Sequence, residues 1–164
     1  MKITGDEIIE LMFLPMSDDK VVEAIDKLGW EQPTLDEEYE IEQEVCIEDD
    51  DNTGVTFVFK ELDGYSTDGE PCLVEINFEP KREVDLPFEL NYKDNLDSSS
   101  KKIGKEFNFN DKWSKFTKIW INNTKENIQY NFILHFTKEF KEIKSCVIIP
   151  FDKEDIGSIL IDKE

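Results

Sequence analysis

An apolar helical stripe, a glycine and then strand-like runs occur twice in this chain at matching spacings. Gly29 follows the first stripe, and 26 residues later comes Val55-Thr-Phe-Val-Phe59. Gly104 follows the second, and 26 residues later comes Tyr130-Asn-Phe-Ile-Leu134. Cys72-Leu-Val and Cys146-Val-Ile then correspond, and Pro80 and Pro150 close the two units, 1–80 and 85–150. Similar spacing across several landmarks is the signature of a degenerate repeat. Each unit reads as a helix, a glycine and three antiparallel strands. The expectation is one α+β domain over residues 1–164, a largely antiparallel sheet with helices packed on one side.

The local patterns fill in this frame. Residues 5–13 read as a short helix with Ile8, Ile9, Leu11 and Met12 near one face. Ser17 is a suitable N-cap for a second helix carrying Val21, Val22, Ile25 and Leu28, which Gly29 ends. Residues 38–48 alternate as a strand with one buried face, 50–54 as a hairpin loop, and Val55, Phe57 and Phe59 as the next strand. A loop over 65–71 leads to a third strand at 73–78. In the second half, 94–103 read as a serine-rich helix and 107–111 as a loop. Strands follow at 115–121, 128–136 and 143–149, with a turn at 122–127. Residues 153–161 read as a terminal helix.

Charge divides the chain more sharply than hydropathy does. The net charge is −20, and residues 1–80 account for all of it, with 24 acids against 4 bases. Residues 81–164 balance, with 15 of each. Phosphate binding needs clustered Lys and Arg, so nucleic acid is excluded as a natural ligand and an anionic membrane surface is disfavoured. A basic partner fits. The 38% hydrophobic content, with twelve Phe and three Trp, calls for a packed core and not a disordered acidic tail.

Chemical motifs are sparse. Cys46, Cys72 and Cys146 form no metal spacing and read as buried free thiols of a reducing cytosol. The N-terminal residues lack the apolar core of a signal peptide, and no run is long enough to span a membrane. The single histidine, His135, lies opposite Phe132, Leu134 and Phe136 in its strand and reads as a surface or edge residue, not a general base. Taking Asp49 as the first position of a calcium loop puts Asp51, Thr53 and Gly54 in place. The last position then falls on Lys60, where a bidentate Glu is required, so a hairpin turn is the better account. No nucleophile, phosphate-loop or metalloprotease motif occurs. The expectation is a protein that is not an enzyme and holds no cofactor or metal.

The acidic run carries the functional reading. Ten of the sixteen residues from 36 to 51 are acidic, yet Tyr39, Ile41, Val45 and Ile47 recur at strand spacing. With those four facing the core, Glu38, Glu40, Glu42, Glu44 and Glu48 face outward. Successive outward positions are roughly 6.6–6.8 Å apart, within the Debye length of about 8 Å at physiological salt. A cationic partner relieves their mutual repulsion and is steered in quickly. Asp49, Asp50, Asp51, Asp63, Tyr65, Asp68 and Glu70 extend the candidate face through the neighbouring loops. The competing account is solvation, or protection of a sheet edge against aggregation.

The pattern S-D-x-x-V-V-x-x-(I/L)-x-x-L-G at Ser17 to Gly29, the strand pair after it, D-L-P-F-E-L at Asp85 to Leu90 and a second helix ending at Gly104 together resemble a known family. They resemble the immunity proteins of bacterial polymorphic toxin systems, in particular those of contact-dependent growth inhibition. The resemblance implies a cytoplasmic, non-enzymatic protein that binds and neutralises a cognate toxin domain. Such toxins are often nucleases with basic nucleic-acid sites, which an acidic face would suit. Its alternatives are a DNA mimic that inhibits a DNA-binding protein, or a generic acidic interaction domain.

Overall fold

The computed structural model describes residues 3–33, 54–61, 70–79 and 84–162, and the backbone of 44–47. Three helices and eight strands account for most of these residues. Helix α1, Gly5–Ile9, is capped by Thr4, whose Oγ1 accepts from Glu7 N at 3.1 Å. It stops four residues short of the expected end: Phe13 takes a φ of +71° and donates its N–H to Leu73 O. Helix α2, Asp19–Lys27, starts on Asp18 and not on Ser17; Asp18 Oδ1 accepts from Lys20 N at 2.9 Å. Ser17 N instead donates to Glu70 Oε1 at 2.8 Å. Helix α3, Leu96–Ile103, carries a reciprocal capping box between Asn95 and Ser98. It ends where Gly104 adopts a φ of +95°, a left-handed conformation that glycine takes without strain.

The strands are β1 (Glu44–Ile47), β2 (Val55–Lys60), β3 (Cys72–Phe78), β4 (Phe109–Asp111), β5 (Thr117–Asn123), β6 (Gln129–Phe136), β7 (Ile143–Pro150) and β8 (Leu160–Asp162). They form one sheet in the order β1-β2-β3-β7-β6-β5-β4-β8, and every strand pairing is antiparallel. The architecture is therefore α+β. Three strands of the first half and three of the second meet at the β3–β7 seam, where Ile76, Asn77 and Phe78 pair with Ile148, Val147 and Cys146. These six strands lie where the sequence pattern placed strands. Two elements depart from it. Residues 107–111, expected as a loop, supply β4. Residues 153–161, expected as a helix, instead give a single 3-10 turn at Lys153–Asp155 and the start of β8.

One large core lies between the helices and one face of the sheet. Ile8 of α1 and Val21, Ala24 and Ile25 of α2 meet Phe57, Phe59, Ile76, Phe78, Trp120, Phe132, Leu134 and Ile148. Leu96 and Ile103 of α3 pack against the same cluster, so all three helices lie on one side. Trp30 packs edge-on against Phe57, with centroids 5.2 Å apart, and is a core residue. The other face carries a smaller apolar cluster of Ile119, Ile133 and Leu160, flanked by half-buried Phe109, Ile121, Val147, Ile149 and Phe151. Burial pushes the Tyr130 hydroxyl up to about 12, and the fully buried Cys146 thiol is pushed well above the ordinary thiol range. Among the described residues, no helix is long and apolar enough to cross a membrane.

Candidate protein-binding surface

The acidic strand sits at one end of the sheet. The register sets Val45 against Phe59 and Ile47 against Phe57, both phenylalanines wholly buried beneath the helices. Glu44 falls against Lys60 and Cys46 against Val58, the alternate positions. The period-two reading of this segment therefore holds in register over β1. An acid opposite a lysine in antiparallel strands is a favourable cross-strand placement, by about 0.2–1 kcal/mol. Glu44 and Glu70 are the expected face residues that the structure describes. Glu70 is half-buried and its Oε1 is engaged by Ser17 N, so part of that carboxylate is turned inward. Glu38, Glu40, Glu42, Glu48, Asp49, Asp50, Asp51, Asp63, Tyr65 and Asp68 lie outside the described residues.

Other carboxylates of the first half have structural partners. Asp6 Oδ1 accepts from Phe88 N at 2.7 Å. Glu7 and Glu23 flank Lys27 at 3.6 and 3.5 Å, and Glu10 reaches Lys125 of the second half at 2.9 Å. Exposed pairs of this kind contribute about 0–1 kcal/mol each. They leave the negative balance of the first half in place.

His135 differs from its expected setting. Alternation places it correctly, on the face opposite Phe132 and Leu134, but β6 is an interior strand and the ring is half-buried. Its Nδ1 lies 2.7 Å from Thr117 Oγ1, which lies 2.6 Å from Ser114 Oγ. The chain of groups works in either protonation state, because each hydroxyl can reverse its donor role. Burial lowers the histidine pKa; Asp111 opposes the shift and Lys144 adds to it. The folded state thus resists a proton that the unfolded chain accepts near pH 6.5. Stability is full above that pH and falls as the pH drops below it towards the lower folded value. Urea midpoints at pH 7.5 and 5.5 should show this loss in the native chain and a smaller loss in His135→Gln. An equal loss in both would show that the imidazole is not the group responsible.

At the far end of the sheet stands a residue that composition alone assigns to the core. Trp113 is 78% exposed, in the loop between β4 and β5. Asp111 Oδ1 holds that loop by accepting from Trp113 N and Ser114 N at 2.7 and 2.9 Å. Lys112 Nζ lies 4.8 Å from the indole centroid. The signal available in the sequence was Asp-Lys-Trp-Ser-Lys, an aromatic among polar neighbours with no alternating apolar partners.

The described depressions are lined by polar and apolar side chains together. A depression of about 420 Å³ beside the start of α3 is lined by Asn95, Leu96, Asp97, Ser100, Glu106, Glu139 and Phe140. Its carboxylates are largely matched, Asp97 with Lys101 at 3.1 Å and Glu139 with Lys141 at 3.3 Å. Among the described residues, no group of three or more His, Cys, Asp and Glu side chains could hold a metal ion. No family model matches the chain, and neither a curated protein nor a solved structure is significantly similar to it.

Proposed function

We propose that the chain is a non-enzymatic immunity protein that acts in the cytoplasm, where it binds a cognate toxin domain and blocks it. The partner is a basic nuclease domain whose nucleic-acid path the acidic half covers. The observation that carries this reading is the confinement of the whole net charge of −20 to residues 1–80. In support, the described part of the acidic run forms the outermost of the described strands of that half. Clustered like charge that costs little in water is relieved by a cationic surface, and it accelerates encounter with one.

The test is capture of the C-terminal domain encoded by the gene immediately upstream. The native chain should bind it with nanomolar affinity and suppress its activity. The association rate should fall at least about tenfold as salt rises from roughly 0.05 to 0.5 M. Reversing Glu40, Glu42 and Glu44 to Lys should lower unfolding stability by about 1 kcal/mol, because position 44 then sets a like charge against Lys60, and should slow association about tenfold or more. An unchanged association rate in the triple variant would remove the steering role. Binding to several unrelated DNA-binding proteins would favour a DNA mimic instead.

A further inference from the structure

We propose that the corner formed by residues 112–116 and 156–159 is the apolar anchor through which the chain grips its basic partner. The inference rests on the capture reading above and places the anchor at the edge of the sheet opposite the acidic strand. Trp113, Ile156 and Ile159 are 78, 45 and 43% exposed, and they are the exposed large hydrophobic residues of the described chain. The fold brings them together. Asp111 of β4 pairs with Leu160 of β8, and Lys112 N donates to Ile159 O at 2.9 Å. Three exposed apolar side chains gathered at one edge, while the other described large apolar side chains are at least half-buried, form a surface suited to a partner and not to solvent.

The corner is held in shape before any partner arrives. Asp111 ties down the backbone of Trp113 and Ser114. Ser114 is joined through Thr117 to His135, on an interior strand. Ile159 N and Ser158 N both donate to Asp155 O, at 2.9 and 3.1 Å. A tryptophan on a preorganised base loses little conformational freedom on binding, and tryptophan is among the residues enriched at the centres of binding energy.

Charge selects the occupant. Asp111, Asp152, Glu154, Asp155 and Asp162 lie in or beside the two loops, against Lys112, Lys115 and Lys153. The surplus is negative, so a basic surface with an apolar recess is favoured. The indole already carries one cation over its ring, Lys112. An arginine or lysine of the partner can take the same place, or stack on the ring face left to solvent, by the same electrostatic attraction.

The experiment measures dissociation of the upstream-encoded domain from the native chain and from Trp113→Ala. An exposed side chain can be removed without disturbing the core, so the variant should melt as the native chain does. Its dissociation should be at least about 30-fold faster, the rate loss of a binding hot spot. Trp30 and Trp120 are buried, so acrylamide quenching of the native chain reports chiefly Trp113, and complex formation should suppress it. If the native complex forms but the variant dissociates at the native rate, or quenching is unchanged, the anchor lies elsewhere and the capture reading stands. If the native chain does not bind the domain at all, both fall.

Discussion

Trp120→Ala should lower unfolding stability by about 4 kcal/mol, the middle of the range for deleting a large buried aromatic side chain. Trp120 is wholly buried and lies edge-on to both Phe107 and Phe132, with centroids 6.1 and 6.5 Å away. Its indole N–H donates to Lys105 O at 3.0 Å, which ties the segment after α3 to β5. The substitution removes the aromatic contacts and the donor together, and fixed neighbours on both sides limit collapse of the space. The midpoint of thermal unfolding should drop by roughly 8–16 °C for a chain of this length. Urea unfolding gives the free energy directly. A loss under about 1 kcal/mol would mean that the second half is not organised around this indole.

Gly5→Ala should cost about 3 kcal/mol, although it adds one methyl group to a short helix. A Cβ on Gly5 would meet Asp85 O at 2.3 Å and both Leu86 C and Pro87 N at 2.4 Å, all backbone atoms that no rotamer change can clear. The clash falls where α1 packs on the 3-10 turn Pro87–Glu89, near the start of the second half of the chain. Separating these segments also strains the bond from Phe88 N to Asp6 Oδ1, and charged hydrogen bonds of this kind contribute about 1.5–3 kcal/mol. Overpacking alone costs about 1–3 kcal/mol. In an isolated helix the same change would be favourable by about 0.8–1 kcal/mol, so the sign of the measured effect separates tertiary approach from helix propensity. A stabilised variant would show that α1 does not dock there.

What the sequence made legible follows from how strongly each segment declares its own period. Helix α2 has an apolar stripe, a polar cap and a closing glycine. Strands β2, β5, β6 and β7 have long apolar runs, and each appears within two residues of its expected start. Strands β4 and β8 are three residues long, too short to express a period. They exist because neighbours offer unpaired edges: Phe109 sits against Ile119, and Leu160 against Asp111. The spacing of Ile156, Ile159 and Leu160 imitates a helix, but Gly157 at a φ of +90° turns the chain back. The N-cap moved by one residue: Asp18 and Ser17 are both competent acceptors, and it is Asp18 whose Oδ1 accepts from Lys20 N.

The candidate surface was legible only in part. Charge asymmetry is a sum over residues and needs no structure. The alternation of Val45 and Ile47 is local, and the register of β1 against β2 agrees with it. Trp113 is marked in the sequence only by its polar neighbours, which a count of tryptophans does not register; its exposure follows from the loop that Asp111 and Ile159 brace. His135 was placed on the correct face. That face is only partly open to solvent, however, because Ile133, Ile119 and Leu160 form a second, smaller apolar cluster on it.

The β3–β7 seam has a consequence for how the chain is made. Synthesis runs from the N-terminus, so β3 is complete at Phe78 while its partner is not finished until Pro150, 72 residues later. At roughly 5–20 residues per second, the first half waits about 4–14 s with an open strand edge. That edge offers unpaired backbone beside Leu73, Ile76 and Phe78, the kind of surface on which nascent chains aggregate. The half that waits carries the entire charge of −20, and the half that arrives late carries none. Two nascent copies therefore repel each other during this interval, and the carboxylates of the first half protect the unfinished protein.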